Sequence, residues 1–459
     1  MYYERIIDKY LLEWARSSSH KPLLLRGARQ TGKSTAVRHL GGHFDVYVEI
    51  NFEKQPVYKT LFEKDIDVNR IVPLLSAMSK LTITPGKTLL FLDEIQECPE
   101  AIMALRFFRE DMPELHVVAA GSLLEFSLDE LPTFGVGRIH SMYVYPMTFD
   151  EFLVANGCQL LVNERNKASE SNQLDVALHS ELIDYLRTYM LVGGMPESVA
   201  KWVETHDLLQ CQEVQDDILN GYEDDFPKYR KKVDPQLLRN TMRSVALQVT
   251  RKFVYSHVPG EYKSAEVKKA IEMLTKAGIV IPVTHSNANG LPLGNETEQN
   301  IRKMLLLDTG LLLRLLNMTL GDITEVTAQI LTASAADLVN KGTIAEMLAG
   351  LEYIHYQTPN VRHELFYWVR QSRNSLAEID YVIPSNSEIL PVEVKAGVQG
   401  GMKSLWEFMR EKKVTFAVRC SLENFGEFEY IDNKADNAVR HVKICPLYAV
   451  SQMNRLMQK

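Results

Sequence analysis

The sequence predicts an α/β protein of several domains, the first of which is a parallel β-sheet wrapped by helices. Within the first 155 residues, four short apolar runs alternate with amphipathic stretches, at residues 22–26, 46–50, 88–92 and 115–120. Such alternation is typical of repeated βαβ units. The length of 459 residues also exceeds what one ordinary hydrophobic core organises, so about three domains are expected.

Three further regions follow this first domain, which spans residues 1–155. Residues 156–232 have a mostly helical pattern with a Gly-Gly-Met-Pro turn at 193–196, and they predict a helical lid. Residues 233–325 contain helical patterns at 235–249 and 264–277 and then apolar strands at 279–284 and 303–307, which predicts a winged helix-turn-helix. Residues 326–459 begin with a helix at 343–351 and continue as strands at 365–370, 378–383 and 389–394, a second α/β domain.

The amino-acid composition limits the functional classes to which this protein can belong. The chain has 51 Lys and Arg against 59 Asp and Glu, a net charge of -8, so any contact with nucleic acid must be local. No run of 18 apolar residues occurs, and residues 1–10 lack the apolar core of a signal peptide, so we expect a soluble, unexported protein without a membrane partner. The cysteines lack the spacing of a zinc site or a disulfide framework, which favours a reducing cytoplasm: Cys98, Cys158, Cys211, Cys420 and Cys445.

A phosphate-binding loop is predicted between the first strand and the next helix. The pattern G-x-x-x-x-G-K-[ST] is satisfied by Gly27, Ala28, Arg29, Gln30, Thr31, Gly32, Lys33, Ser34 and Thr35. Glycines let successive backbone N–H groups turn inward, and the helix adds the positive end of its dipole, so the main chain can hold a polyphosphate. We expect Lys33 to reach the β- and γ-phosphates of ATP and Ser34 to offer its hydroxyl to Mg²⁺.

Two carboxylates follow the buried strand at 88–92. Asp93 and Glu94 come at the carboxyl end of this strand, the edge at which parallel sheets bind ligands. We expect Asp93 to hold the magnesium ion with its waters and Glu94 to polarise the attacking water as a general base. A strand that simply ends at a solvated loop is the alternative for this pattern taken alone, and the phosphate-binding loop upstream favours the nucleotide site.

Two further polar residues are candidates for the same site. Ser122 follows the strand at 115–120 and is placed to sense the γ-phosphate or orient the water, although a helix N-cap is the alternative. Arg138 follows Gly137 ahead of an apolar segment at 139–145, where an exposed arginine could neutralise transition-state charge on the nucleotide of a neighbouring subunit. A surface ion pair is the alternative for Arg138.

The last region contains acidic residues and a lysine in an informative order. Glu346 lies on the predicted helix, Asp380 lies in one strand, and Glu393 and Lys395 lie in the next. Residues two apart face the same side of a strand, so Glu393 and Lys395 project together, with Asp380 on the adjacent strand. Asp380 and Glu393 are then candidate Mg²⁺ ligands, and Lys395 can orient or activate a water against a phosphodiester. This is the arrangement of PD-(D/E)XK nucleases; a solvated Glu/Lys face is the alternative.

The winged-helix region has a local positive excess. Residues 234–314 contain eleven Lys and Arg against seven Asp and Glu, and winged helices place their second helix in the DNA major groove. The lysines on or beside that predicted helix lie on more than one of its faces, so a solvated surface or a joint between domains is an alternative to DNA binding: Lys263, Lys268, Lys269 and Lys276.

Taken together, these motifs resemble a prokaryotic AAA+ ATPase family that carries a C-terminal DUF4143 region. The resemblance covers nearly the whole chain and rests on residues 25–34 (LRGARQTGKS), 91–96 (FLDEIQ), 120–124 (AGSLL), 137–138 (GR), 145–152 (YPMTFDEF) and 193–196 (GGMP). Residues 366–370 and 377–383 also resemble the nuclease-like hairpin of this family. The resemblance implies that Ser122 is sensor 1 and Arg138 a candidate arginine finger, and it implies a capacity to form homo-oligomers.

Two functional hypotheses follow. In the first, the protein hydrolyses ATP and acts on DNA, and its nucleotide state controls a metal-dependent nuclease-like domain. In the second, the protein is a regulatory ATPase switch whose nuclease-like domain is inactive and binds nucleic acid or another protein.

Overall fold

A computed structural model describes residues 2–121, 128, 137–317, 341–370, 377–395, 401–435 and 437–456. The chain divides into two compact units. Unit 1 consists of Met1–Pro146, Lys276–Gly278 and Thr358–Arg362. Unit 2 consists of Met147–Thr275, Ile279–Gln357 and His363–Lys459. No helix within the described residues is long and apolar enough to cross a membrane.

Unit 1 is built on a five-stranded sheet in the order β2-β3-β4-β1-β5. Every pairing in this sheet is parallel, which confirms the predicted α/β fold with a parallel sheet. The strands are β1 (Leu23–Arg26), β2 (Val46–Asn51), β3 (Thr88–Asp93), β4 (His116–Ala120) and β5 (His140–Tyr143). The helices are α1 (Ile6–Arg16), α2 (Lys33–Gly41), α3 (Thr60–Glu63), α4 (Val68–Ser79) and α5 (Pro99–Asp111).

Both faces of this sheet are covered, which explains why its central strands are continuously apolar. Every residue of β3 and β4 is buried, as expected of parallel strands with helices on both sides. Along β3, Leu90 and Leu92 pack into the cluster that contains residues of α4 and α5. Leu89 and Phe91 pack into the cluster that contains residues of α1 and α2. Each buried Leu or Phe side chain contributes about 1.5–3 kcal/mol to the free energy of folding. Packing on both faces therefore fixes the position of the carboxyl end of β3.

Among the residues that the structure describes, unit 2 contains the other helices, and the predicted helical stretch at 156–232 forms four of them. The helices are α6 (Phe149–Ala155), α7 (Gln159–Lys167), α8 (Val176–Val192), α9 (Pro196–Thr205), α10 (Leu208–Asp225), α11 (Pro235–Gln248), α12 (Ser264–Lys276), α13 (Thr309–Asn317), α14 (Lys341–His355), α15 (Lys403–Glu411) and α16 (Met453–Leu456). The last residue of α12, Lys276, is counted with unit 1.

Unit 2 also contains an eight-stranded mixed sheet in the order β12-β13-β11-β10-β9-β8-β6-β7. The strands are β6 (Val280–Ser286), β7 (Thr297–Leu306), β8 (Leu365–Val369), β9 (Glu378–Ser385), β10 (Glu388–Val394), β11 (Phe416–Ser421), β12 (Gly426–Asp432) and β13 (Ala438–Pro446). The hairpin of β6 and β7 joins the other strands because β6 pairs in parallel with β8. One sheet therefore continues across residue 325, where the sequence predicts a boundary between the winged helix and the last domain.

The Gly-Gly turn predicted at 193–196 has a structural cause. Gly193 has a φ of +72°, and a Cβ atom there would lie 2.2 Å from Oδ1 of Asp308. The N–H of Gly194 donates to Oδ2 of Asp308 at 2.6 Å, and a Cβ atom on Gly194 would lie 2.1 Å from the carbonyl oxygen of Met147. Burial raises the pKa of Asp308 to about 6. The two glycines therefore make room for a buried carboxylate that ties α13 to this turn.

Candidate functional site

The loop between β1 and α2 has the conformation that its glycines allow. Gly27 and Gly32 both have positive φ values, +139° and +91°, and a Cβ atom on Gly27 would lie 2.2 Å from the carbonyl oxygen of Val144. Inside the loop, the hydroxyl of Thr31 donates to the carbonyl of Ala28 at 2.9 Å. Helix α2 begins at Lys33, and the first N–H groups of a helix have no partner within the helix. The loop therefore presents main-chain donors at a helix N-terminus, as phosphate binding requires.

The ammonium of Lys33 lies inside this loop. Its Nζ donates to the carbonyl oxygens of Gly27 at 3.0 Å and Ala28 at 2.6 Å. Burial lowers the pKa of Lys33 to about 8, although the carboxylates of Glu94 and Asp93 act in the opposite direction. Lys33 is thus a cation held near the bottom of the loop by two carbonyls, which a phosphate group can replace as its partners.

Asp93 is bound by two side chains at the carboxyl edge of the sheet. The hydroxyl of Ser34 donates to its Oδ1 at 3.0 Å, and Nδ2 of Asn51 donates to its Oδ2 at 3.1 Å. Burial raises the pKa of Asp93. A hydroxyl and a carboxylate are hard oxygen donors of the kind that Mg²⁺ prefers, so these residues fit a magnesium ion. Sequence reasoning missed Asn51, which lies opposite Asp93 in the parallel register of β2 and β3.

Glu94 is oriented by Gln96, a second residue that sequence reasoning missed. Glu94 has the left-handed conformation, with a φ of +49°. Nε2 of Gln96 donates to Oε2 of Glu94 at 2.7 Å. The other amide atom, Oε1, is buried without a hydrogen-bond partner among the described residues and lies 2.0 Å from where a Cβ atom of Gly121 would be. Gly121 thus makes room for the amide that fixes the predicted general base.

The two remaining candidates for the nucleotide site are Ser122 and Arg138, and the structure describes only the second of them. Ser122 lies outside the described residues. Arg138 is exposed, and its Nε pairs with Glu110, which is the surface ion pair considered above as the alternative. Its role at the nucleotide of a neighbouring subunit stays a prediction.

The four candidate residues of the last region do come together in unit 2. β9 and β10 are antiparallel neighbours, and Oδ2 of Asp380 accepts the N–H of Val394 at 2.8 Å. Nζ of Lys395 lies 2.5 Å from Oε1 of Glu393, so these two residues share a face as expected. Glu346 on α14 is close enough for Asp380 to raise its pKa.

The carboxylates of this group, which we call the acidic cluster (Glu346, Glu378, Asp380 and Glu393), strongly influence one another. Burial, and secondarily the charge of Asp380, raise the pKa of Glu346 to about 8 and of Glu393 to about 7. Burial also raises the pKa of Asp380. Oε2 of Glu393 is buried without a hydrogen-bond partner in the described part of the chain. The raised pKa values of Glu346 and Glu393 mean that these two carboxyl groups resist ionisation near neutral pH.

A compensating charge is present, and sequence reasoning assigned it no chemical role. Lys303 on β7 is fully buried, and its Nζ lies 2.8 Å from Oε1 of Glu346 and 2.5 Å from Oε1 of Glu378. Within the described ranges, no group of three or more His, Cys, Asp or Glu side chains is placed to hold a metal ion. The Mg²⁺-ligand roles of Asp380 and Glu393 therefore stay predictions.

Comparison with known families agrees with the fold and with these motifs. The chain matches three family descriptions: an AAA domain at residues 19–153, the domain of unknown function DUF8612 at 183–321, and the domain of unknown function DUF4143 at 341–439. The match to an AAA domain at residues 19–153 agrees with the phosphate-binding loop, and together they support ATP binding and hydrolysis. More particularly, the chain combines an AAA domain with a C-terminal DUF4143 region, which confirms the resemblance predicted from the sequence.

The solved structures that match the chain are distant from it. The Walker-type ATPase PABY2304 of Pyrococcus abyssi is 16% identical, with a TM-score of 0.44, over 68% of this chain and 96% of that chain. The ORC1 protein of Aeropyrum pernix in complex with DNA is 15% identical, with a TM-score of 0.28, over 70% of this chain and 92% of that chain. None of the curated proteins matches the chain significantly.

Proposed function

We propose that unit 1 binds ATP with Mg²⁺ and hydrolyses it, and that the protein works as a nucleotide-dependent switch. The observation that carries this proposal is the meeting of Ser34 with Asp93 beside the buried ammonium of Lys33. A phosphate-binding loop, a hydroxyl and a carboxylate at one sheet edge are the parts that phosphoryl transfer needs.

Each residue has a defined task in this proposal. Lys33 exchanges its carbonyl partners for the β- and γ-phosphates. Ser34 and Asp93 would hold Mg²⁺, which would supply positive charge beside the phosphates. Glu94, fixed by Gln96, accepts a proton from the attacking water and so acts as the general base. Ser122 is proposed to sense the γ-phosphate, and Arg138 to reach the nucleotide of a second copy in a homo-oligomer.

The experiment compares wild type with Glu94→Gln, using phosphate release and nucleotide affinity as separate measurements. Loss of the general base is expected to slow turnover by about 100-fold or more, while the affinity for Mg·ATP is retained because the loop is intact. Glu97→Gln, which removes a nearby exposed carboxylate, is the matched control and is expected to turn over normally. Equal turnover in wild type and Glu94→Gln would remove Glu94 from the mechanism.

For unit 2 we propose the second of the two hypotheses raised above: the nuclease-like region does not cleave, and it binds nucleic acid under control of the nucleotide state. The position of Lys303 within the acidic cluster supports this choice over metal-dependent cleavage. The positive excess of residues 234–314 supports DNA as the partner.

The competing hypothesis predicts DNA cleavage, so one assay separates the two. Wild type, Asp380→Ala and Lys395→Ala are incubated with plasmid and linear DNA, ATP, and Mg²⁺ or Mn²⁺, and both binding and cutting are measured. We expect salt-sensitive binding and no cutting. Cutting by wild type that both substitutions abolish would establish the nuclease instead, and absence of any DNA binding would leave protein as the partner of unit 2.

A further inference from the structure

Lys303 is a fully buried lysine whose ammonium is enclosed by groups that favour a positive charge. Its Nζ contacts Glu346 on α14 and Glu378 on β9 at 2.8 and 2.5 Å. The ring of Tyr367 on β8 covers another side, with its centroid 4.9 Å from Nζ. A lysine is almost never fully buried unless it is paired, and here the partners come from three neighbouring elements.

The charges around this ammonium are strong enough to keep it protonated. Burial alone lowers the pKa of Lys303, but the carboxylates of Glu346, Asp380 and Glu378 together raise it above its usual value. The remaining carboxylate of the cluster, Glu393, has Lys395 as its own partner. Two ammonium groups thus accompany four carboxylates that lie on β9, β10 and α14.

We propose that the ammonium of Lys303 takes the place that a divalent cation would otherwise occupy, so that the acidic cluster receives its positive charge from the chain itself and excludes a metal. This inference deepens the proposal that unit 2 does not cleave, and it concerns metal binding, which is measured without DNA.

The exclusion has a physical reason. Mg²⁺ requires several oxygen atoms at about 2.1 Å in near-octahedral geometry, and Lys303 already uses one oxygen each of Glu346 and Glu378. A metal that took Glu346 as a ligand would compete with Lys303 for this carboxylate and would leave the buried ammonium with fewer partners, which is unfavourable. Since Lys303 is tethered to the sheet, its ammonium is present at these carboxylates at a high effective concentration.

The neutralising charge comes from outside the region that carries the carboxylates. Lys303 lies within the DUF8612 match at 183–321, whereas the four acidic residues lie within the DUF4143 match at 341–439. Strand β7 brings Lys303 to the cluster because the β6–β7 hairpin extends the sheet at β8. The metal-free state of the cluster is therefore a property of the full chain.

In the test, the nucleotide-free full-length protein is titrated with Mn²⁺. Binding is measured by calorimetry and by the signal of bound Mn²⁺ in electron paramagnetic resonance. Wild type is expected to show no stoichiometric site that Asp380→Asn removes. Lys303→Met, which keeps the volume and removes the charge, is expected to bind Mn²⁺ about tenfold or more tightly than wild type because the carboxylates lose their internal cation. Adding Asp380→Asn to Lys303→Met is expected to abolish the gain.

A matched control separates this effect from the general loss of a buried lysine. Lys443, also in unit 2, is half-buried, and its Nζ lies 3.1 Å from Oε1 of Glu170, away from the acidic cluster. Lys443→Met is expected to leave Mn²⁺ binding at the wild-type level. The proposal is overturned if Lys303→Met gains no more affinity than Lys443→Met, or if wild type binds Mn²⁺ and loses it in Asp380→Asn.

If Lys303→Met is unstable, melting temperatures measured with and without Mn²⁺ still test the proposal. A ligand that binds only the folded state raises the melting temperature, so millimolar Mn²⁺ is expected to restore folding to Lys303→Met and to leave wild type unchanged. A variant that stays unfolded with Mn²⁺ would contradict the proposal, because a metal at the ammonium position should replace the missing charge.

Discussion

The hydroxyl of Ser34 and the carboxylate of Asp93 form a hydrogen bond of 3.0 Å although 59 residues separate them in the chain. Ser34 lies in the first turn of α2, and Asp93 ends β3. β4 lies between β1 and β3 in the sheet, so the contact exists only because the strands have this order. The proposed magnesium site is therefore a property of the sheet topology.

This contact predicts non-additive effects of substitution. Ser34→Ala and Asp93→Asn are each expected to reduce phosphate release at saturating Mg·ATP by about 100-fold, and the double variant is expected to be little worse than either one because both serve the same ion. Asp111→Asn, which removes an exposed carboxylate at the end of α5, is the control for charge. Fully additive losses would show that the two residues act separately.

Gln96 is expected to act as a positioning residue for Glu94. Gln96→Ala removes the 2.7 Å hydrogen bond to Glu94, so kcat should fall by about tenfold or more while KM for ATP stays near the wild-type value. Steady-state kinetics across a range of ATP concentrations measures the two effects separately. A rise in KM at constant kcat would instead indicate a role in nucleotide binding.

Alanine substitutions at Gly194 and Gly221 are expected to change the free energy of unfolding in opposite directions. Gly194→Ala places a Cβ atom 2.1 Å from the carbonyl oxygen of Met147, and the forced backbone shift is expected to destabilise unit 2 by about 1–3 kcal/mol. Gly221 lies within α10 and faces open space, so Gly221→Ala should stabilise the helix by about 0.5–1 kcal/mol. Urea unfolding measures both, and similar effects of the two changes would contradict the close approach at Gly194.

Glu352 predicts a pH dependence of the stability of unit 2. Burial, and then the charge of Asp150, raise the pKa of Glu352 to about 8, and its Oε1 accepts hydrogen bonds from the N–H of Phe149 and the hydroxyl of Tyr189. In the folded state Glu352 therefore keeps its proton up to about pH 8, whereas in the unfolded state it releases the proton at its ordinary pKa of 4.5. The resulting stabilisation of the folded state is fully present below about pH 4.5 and is lost as the pH rises to about 8.

Glu352→Gln is expected to remove this dependence, since the amide stays neutral at every pH and its carbonyl still accepts hydrogen bonds. Between about pH 5 and pH 8 the free energy of unfolding of wild type should decline by up to about 1.4 kcal/mol per pH unit from this group, and the variant should show a smaller slope. Urea unfolding at pH 5, 6.5 and 8 checks this, and parallel slopes would show that Glu352 is ionised in the folded state.

Local patterns were sufficient to predict much of the fold. The apolar runs at 22–26, 46–50 and 88–92 correspond to β1, β2 and β3. The run in β3 is continuous because that strand is buried on both faces, whereas β2 lies at the edge of the sheet and alternates in burial. In the last region, the spacing of Glu393 and Lys395 correctly predicted a shared strand face, because side chains alternate along a strand. Both are short-range effects that a sequence displays directly.

The roles of some site residues could not be predicted from the sequence, because they depend on strand register and on contacts between segments that are distant in the chain. Asn51 acquires its role by lying opposite Asp93 in a parallel pair. Gln96 acquires its role because Glu94 has a left-handed backbone and Gly121 leaves space. Lys303 lies in a stretch whose pattern fits an ordinary strand, and only the pairing of β6 with β8 brings it to the acidic cluster.

The most direct measurement is the affinity of Lys33→Ala for a fluorescent ATP analogue in the presence of Mg²⁺, together with its rate of phosphate release. If the loop between β1 and α2 holds the triphosphate with this lysine, affinity should fall by about 100-fold and turnover should be lost, while the folded structure is kept and Lys87→Ala, an exposed lysine of unit 1, behaves as wild type. Undiminished ATP turnover in Lys33→Ala would contradict the assignment of the nucleotide site.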